Sequence, residues 1–203
     1  MVAPTKPLFD VDLNRDVRAL EAMTDAETLK RYLYGTEVYG HLQDSSLPKL
    51  TLGGVLMRLH RLTALWERLT PAQQRTIQTA VQSFEALRAE WAVHYEAKLL
   101  HELKSRQTAL GQFLVESEET PRTARENYPS AIEKRVMLEL LQDEAERLGV
   151  LDKDLKSSLT SLDNRIHRVA EKVDYFIWDS RVEGAYPRDK FWFLYLLPPQ
   201  KKS

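Results

Sequence analysis

Leu155, Leu159, Leu162, Ile166, Val169, Val173 and Phe176 follow one another at alternating steps of four and three. In a strand, odd and even positions point to opposite faces. At 3.6 residues per turn the same spacing gathers into one stripe, so the segment reads as a coiled-coil-like helix. Leu52, Val55, Leu59, Leu62, Trp66 and Leu69 repeat the rhythm earlier in the chain. Only 7 glycines interrupt 203 residues, which removes most of the natural places for a helix to stop.

Between Pro71 and about Glu118 the only breaker is Gly111. Thr70, Pro71 and Gln73 make a capping box with proline at the first helical position. An uninterrupted helix of about 45 residues is expected, roughly 70 Å long at 1.5 Å per residue. Ile77, Ala80, Phe84, Leu87 and Trp91 keep heptad spacing, and Trp91, Tyr95, Leu99 and Leu103 then advance by fours. Such a run is a stutter, which locally unwinds a left-handed supercoil.

The remaining boundaries come from caps and turns. Asn14 is positioned to cap a helix to about Ala22, Thr24 with Glu27 to form a second box, and Ser130 with Glu133 a third. Gly35 suits a left-handed helix end, and Gly149 with Val150 suits a Schellman ending. Residues 40–49 and 118–129 read as loop and turn. The expected architecture is all-α: an elongated helical bundle over residues 13–180, with one very long helix and coiled-coil-like antiparallel packing. An extended lead-in covers residues 1–12, and an aromatic tail covers 181–203, packed on the bundle. The expected core includes Leu59, Leu62, Trp66, Phe84, Leu87, Trp91, Val136, Leu140, Leu159, Leu162, Ile166, Val169 and Val173. The only sheet expected is an incidental hairpin.

Composition bounds the chemistry. There is no cysteine, so disulfides, thiolate catalysis and thiolate-held metals are excluded. A net charge of −1 gives no bulk field for nucleic acid or anionic membrane. The longest apolar run, Phe191 to Leu197, is far shorter than the ~20 residues of a membrane span. A soluble, cytoplasmic protein is expected, with no nucleic-acid or membrane partner.

Catalytic signatures are missing. Gly53-Gly54 lacks the surroundings of a phosphate loop, and no serine-hydrolase elbow occurs. Thr70 to Arg75 opens like a DNA-reading helix-turn-helix, but the helix that follows lacks the required turn. Glu90, His94 and His101 fall near one helical line, and His101-Glu102-Leu103-Lys104-Ser105 begins like a zinc-protease helix but has Ser in place of the second His. Neither a metal nor a cofactor is expected. Asp163 and His167, four apart, read as an exposed helix pair.

Arg88, Glu102 and Arg106 lie on the apolar side of the expected long helix. Their long side chains can overhang its neighbours and reach water, or they can line a polar pocket with His94 and His101. The second arrangement implies an enzyme or small-ligand binder. The leading expectation is instead a helical interaction or scaffold protein that pairs with itself or with another helical protein. Leu103, Leu110, Phe113 and Leu114 have no obvious apolar mate in the chain and are the expected homodimer interface. Trp178 and Trp192 join that list from the C-terminal aromatic cluster, which can serve either as a structural cap or as a binding surface.

Overall fold

The structure is a computed structural model, and it describes residues 7–200. Of these, 71% are helical. Eight α-helices follow in order: α1 (Leu13–Thr24), α2 (Ala26–Tyr34), α3 (Leu52–Ala64), α4 (Pro71–Glu90), α5 (Ala92–Glu119), α6 (Pro121–Ala131), α7 (Glu133–Arg147) and α8 (Lys153–Val169). Among the described residues the only sheet is an antiparallel pair, β1 (Glu171–Lys172) with β2 (Leu196–Leu197). No helix of the described residues is long and apolar enough to cross a membrane.

The chain divides into two compact units. Residues 12–103 and 139–151 make one; residues 7–11, 104–138 and 152–200 belong to the other. Helices α5 and α7 contribute residues to both.

In the first unit α1 packs most broadly on α4 and α3. Leu20, Met23, Leu29, Leu52, Val55 and Phe84 are buried there. Asp16 of α1 receives two arginines of α3 in that core, Arg61 at 2.5 Å and Arg58 at 3.3 Å. An ion pair removed from water is a weak source of net stability but a strong constraint, since a charge left alone there is costly. Gly54 is glycine for space: an added Cβ would sit 2.9 Å from Thr51 Oγ1. Its N–H donates to that same hydroxyl, which caps α3.

In the second unit α8 lays its seam against α5. Gln107 donates to the Leu155 carbonyl at 3.0 Å, a Cβ on Gly111 would lie 3.5 Å from Leu162, and Arg165 reaches Glu118 at 3.1 Å. These contacts advance in the same direction along both helices, so this pair is parallel, not antiparallel. Leu155, Leu159, Leu162, Ile166 and Val169 are all buried. The helix then ends, and Val173 and Phe176 stay buried without it. Beyond Val169 the backbone turns to β1, and the Val173 N–H donates to the Tyr195 carbonyl.

Several local expectations need correction. The 45-residue helix is two helices, the longer of 28 residues. Trp91 interrupts it, with φ −112 and ψ 34, outside the helical region, although its N–H still reaches the Leu87 carbonyl. The break falls where the seam begins to advance by fours. Asp12, not Asn14, caps α1, and Asp25, not Thr24, caps α2. Thr24 is instead the last residue of α1, its hydroxyl donating back to the Leu20 carbonyl. Gly35 does end α2, but in extended backbone (φ −70, ψ 165). Residues 121–131 form α6 rather than a turn, with Pro121 at the first position and Pro129 within it. Ser130 donates to the Asn127 carbonyl and caps nothing. Leu59, Trp66 and Trp91 are only half-buried.

Other expectations hold. Thr70 and Gln73 form the reciprocal box. Gly149, at φ 71, ends α7 with both Schellman bonds, Val150 N–H to Ala145 and Gly149 N–H to Glu146.

Candidate functional site

The charged residues of the long-helix seam are placed first by their partners. Arg88 donates to Glu144 at 3.1 Å and pairs with Glu85. Glu144 also receives Arg147 at 2.7 Å and the Tyr95 hydroxyl at 3.1 Å. Burial alone would raise the Glu144 carboxyl, but the hydrogen bonds from Arg147 and Tyr95 hold it below its ordinary value. Burial, followed by the charge of Glu144, pushes the Tyr95 phenol up.

Glu102 is fully buried and accepts the Gly53 N–H at 3.0 Å. Its carboxylate thus sits at the start of α3, where the helix dipole favours negative charge. Arg106 is buried as well. The overhang expected for these two does not occur, because the chain folds around that part of α5. His94 and His101 are exposed.

The expected interface residues are also enclosed to a large extent. Leu103, Leu110, Leu114 and Trp178 are buried, whereas Phe113 and Trp192 are partly exposed. The bare apolar stretch on α5 is therefore a misreading: its leucines find cover within their own chain. Asp163 and His167 have partners other than the helix pair. Asp163 takes a bidentate contact from Arg135 at 2.7 and 3.0 Å, and His167 stacks on Trp192.

Two features at the surface remain to be accounted for. The first lies in the first unit, at the Trp91 break. Tyr34, 71% exposed, stacks on His94 with ring centres 5.6 Å apart and meets the Trp91 ring edge-on at 6.2 Å. Lys30 sits over the Trp91 ring at 5.5 Å, and Val93 is 77% exposed. The Trp91 indole N–H is buried and donates to nothing among the described residues. Sequence spacing gave no hint of Tyr34, which lies at the last position of α2, off any seam.

The second is a recess of about 290 Å³ in the second unit, lined by His167, Lys172, Arg188, Trp192, Tyr195 and Leu196. His167 lies flat on Trp192, with ring centres 4.2 Å apart and planes 9° apart. The Arg188 guanidinium lies 4.6 Å over the Tyr195 ring. Tyr195 donates its hydroxyl to Glu183 at 2.9 Å, and burial together with that bond pushes its pKa up to about 12. Lys172 stands opposite Leu196 in the β1–β2 register.

Two further hollows are larger but less organised. One, about 630 Å³, is a groove between the α1–α2 junction and α4 with Asp25, Arg75, Thr76 and Ser83 on its walls. The other, about 370 Å³, lies beside Leu8 and Trp178. Neither these nor the cationic recess is lined by Arg88, His94, His101, Glu102 or Arg106. Among the described residues no cluster of three or more His, Asp or Glu is arranged to hold a metal ion. Comparison with protein-family models, with curated proteins and with solved structures finds no match to this chain.

Proposed function

We propose that the chain works by contact rather than catalysis, as a helical interaction protein that pairs with a second copy of itself. The contact surface in this reading is the patch of Tyr34, Trp91, Val93 and His94. One observation carries it: Tyr34, 71% exposed, stacks on His94 and meets Trp91 at a helix break, with Val93, 77% exposed, two residues further on. Leaving apolar surface in water costs roughly 25 cal/mol per Å², and Tyr and Trp are the residues that most often dominate interfaces. Symmetric two-fold pairing is the commonest arrangement among soluble homo-oligomers, with one self-complementary patch serving both partners.

Internal bonding supports contact over an inter-helical reaction pocket. Arg88 and Glu102, the charges such a pocket would need, are bonded to Glu144 and to the Gly53 N–H. Leu110 and Leu114, the contact expected from the sequence, are both buried within the lone chain and leave the Tyr34 patch as the exposed alternative.

Light scattering at micromolar concentration tests the proposal. The wild-type chain should have twice the monomer mass, and the double variant Tyr34→Asp, Val93→Asp should have the monomer mass with an unchanged circular dichroism spectrum. A wild type that stays monomeric, or a double variant that still pairs, would refute it.

A further inference from the structure

The recess at the end of α8 combines cationic side chains with aromatic walls. Three of its six lining residues are His, Lys or Arg, and none is a carboxylate. That concentration is local, because the whole chain carries a net charge of −1.

None of the three, among the described residues, is in an ion pair. His167 and Arg188 are held by rings instead: the imidazole on Trp192, the guanidinium on Tyr195. A π face orients the Arg188 guanidinium without cancelling its charge or using its in-plane N–H donors, whereas a carboxylate does both. The Tyr195 ring is itself fixed through Glu183, and Lys172 is set by the backbone pairing of β1 with β2. The imidazole and the guanidinium are thus oriented before any ligand arrives, while for Lys172 only the backbone is placed, and Arg and Lys are the usual partners of phosphate oxygens.

The remaining walls are Leu196 and the sides of Trp192 and Tyr195. A bare oxyanion would leave that apolar surface untouched. At about 290 Å³ the recess lies near the lower end of the volumes that enclose whole small molecules.

We propose that this recess binds a small organic phosphate monoester, with the phosphate facing Lys172, Arg188 and His167 and the organic part against Leu196 and Trp192. The site uses no residue of the Tyr34 patch, so its test does not rest on self-association. No covalent step is involved.

Isothermal titration calorimetry with phenyl phosphate, inorganic phosphate and benzyl alcohol separates the contributions. Phenyl phosphate should saturate one site per chain and bind about tenfold or more tightly than inorganic phosphate, and benzyl alcohol should give no saturable heat. Lys172→Ala with Arg188→Ala removes two exposed side chains and should weaken phenyl phosphate about tenfold or more while leaving the thermal melt in place. Exchanging Lys156, outside the recess, for Ala should leave binding unchanged. The proposal is overturned by no saturable phenyl phosphate binding up to about 10 mM. It is equally overturned by undiminished binding in the double variant, or by inorganic phosphate binding as tightly as the ester.

Discussion

Rings of the same kinds are put to opposite uses in the two units. In the second, Trp178 is buried, donates its indole N–H to the Pro129 carbonyl at 2.7 Å, and packs against Phe9 and Tyr186. Tyr128, also buried, donates to the Phe193 carbonyl at 3.1 Å. The polar ends of these two rings are both bonded to backbone, so this part of the cluster is closed. In the first unit Tyr34 and Trp91 meet at the surface, and the Trp91 N–H donates to nothing among the described residues. Aromatic content alone therefore does not separate a core from a contact surface. The fate of the polar ends does.

The largest effect should come from opening the closed cluster. Trp178→Ala is expected to cost about 3–5 kcal/mol in equilibrium denaturation, from the lost burial and the cavity it leaves. A loss under about 1 kcal/mol would mean that the cluster is not a core. Tyr128→Phe should be milder, at about 1–2 kcal/mol, since it leaves the Phe193 carbonyl buried without its donor while keeping the ring. If the cost is nil, the satisfied polar ends are not what distinguishes this cluster.

A smaller effect should appear in acid. Hydrogen bonds from Arg181 hold Asp179 at a pKa of about 2, below its ordinary 3.8. A depressed carboxyl stabilises the fold above its unfolded pKa, and that contribution is lost as pH falls from about 4 through about 2. Arg181 is largely exposed, so solvent screening keeps the contribution small. Asp179→Asn should flatten the stability profile over that window, as followed by denaturant titrations at stepped pH.

What was legible in the sequence were features that depend on neighbouring residues. The Thr70–Gln73 box, the Gly149 ending and the buried stripe of α8 each need only a few positions, and all three form. The caps at Asp12 and Asp25 were missed because Asn14 and Thr24 are equally good capping types two residues and one residue away. The Trp91 break carries no glycine or proline, so only the shift to steps of four marks it. The recess was legible only in pieces: Trp192 within an aromatic cluster that could serve as a binding surface, and His167 as half of an exposed helix pair. His167, Lys172 and Arg188 meet because a two-residue strand pairing folds the tail back onto the end of α8, and no periodicity records that. Glu102 read as a charge misplaced on an apolar face, because its partner is a backbone N–H 49 residues away.

The smallest stability change, and the most direct test, belongs to the exposed patch. Trp178→Ala and Tyr34→Ala should be compared by denaturation and by light scattering on the same preparations. Tyr34→Ala should change stability by less than about 0.5 kcal/mol, a surface-sized effect, yet shift the proposed dimer to monomer. Trp178→Ala should do the reverse under conditions where it remains folded, losing stability while keeping the dimer mass. A Tyr34→Ala chain that is strongly destabilised, or that pairs as tightly as wild type, would contradict the division between a closed aromatic core and an open aromatic contact.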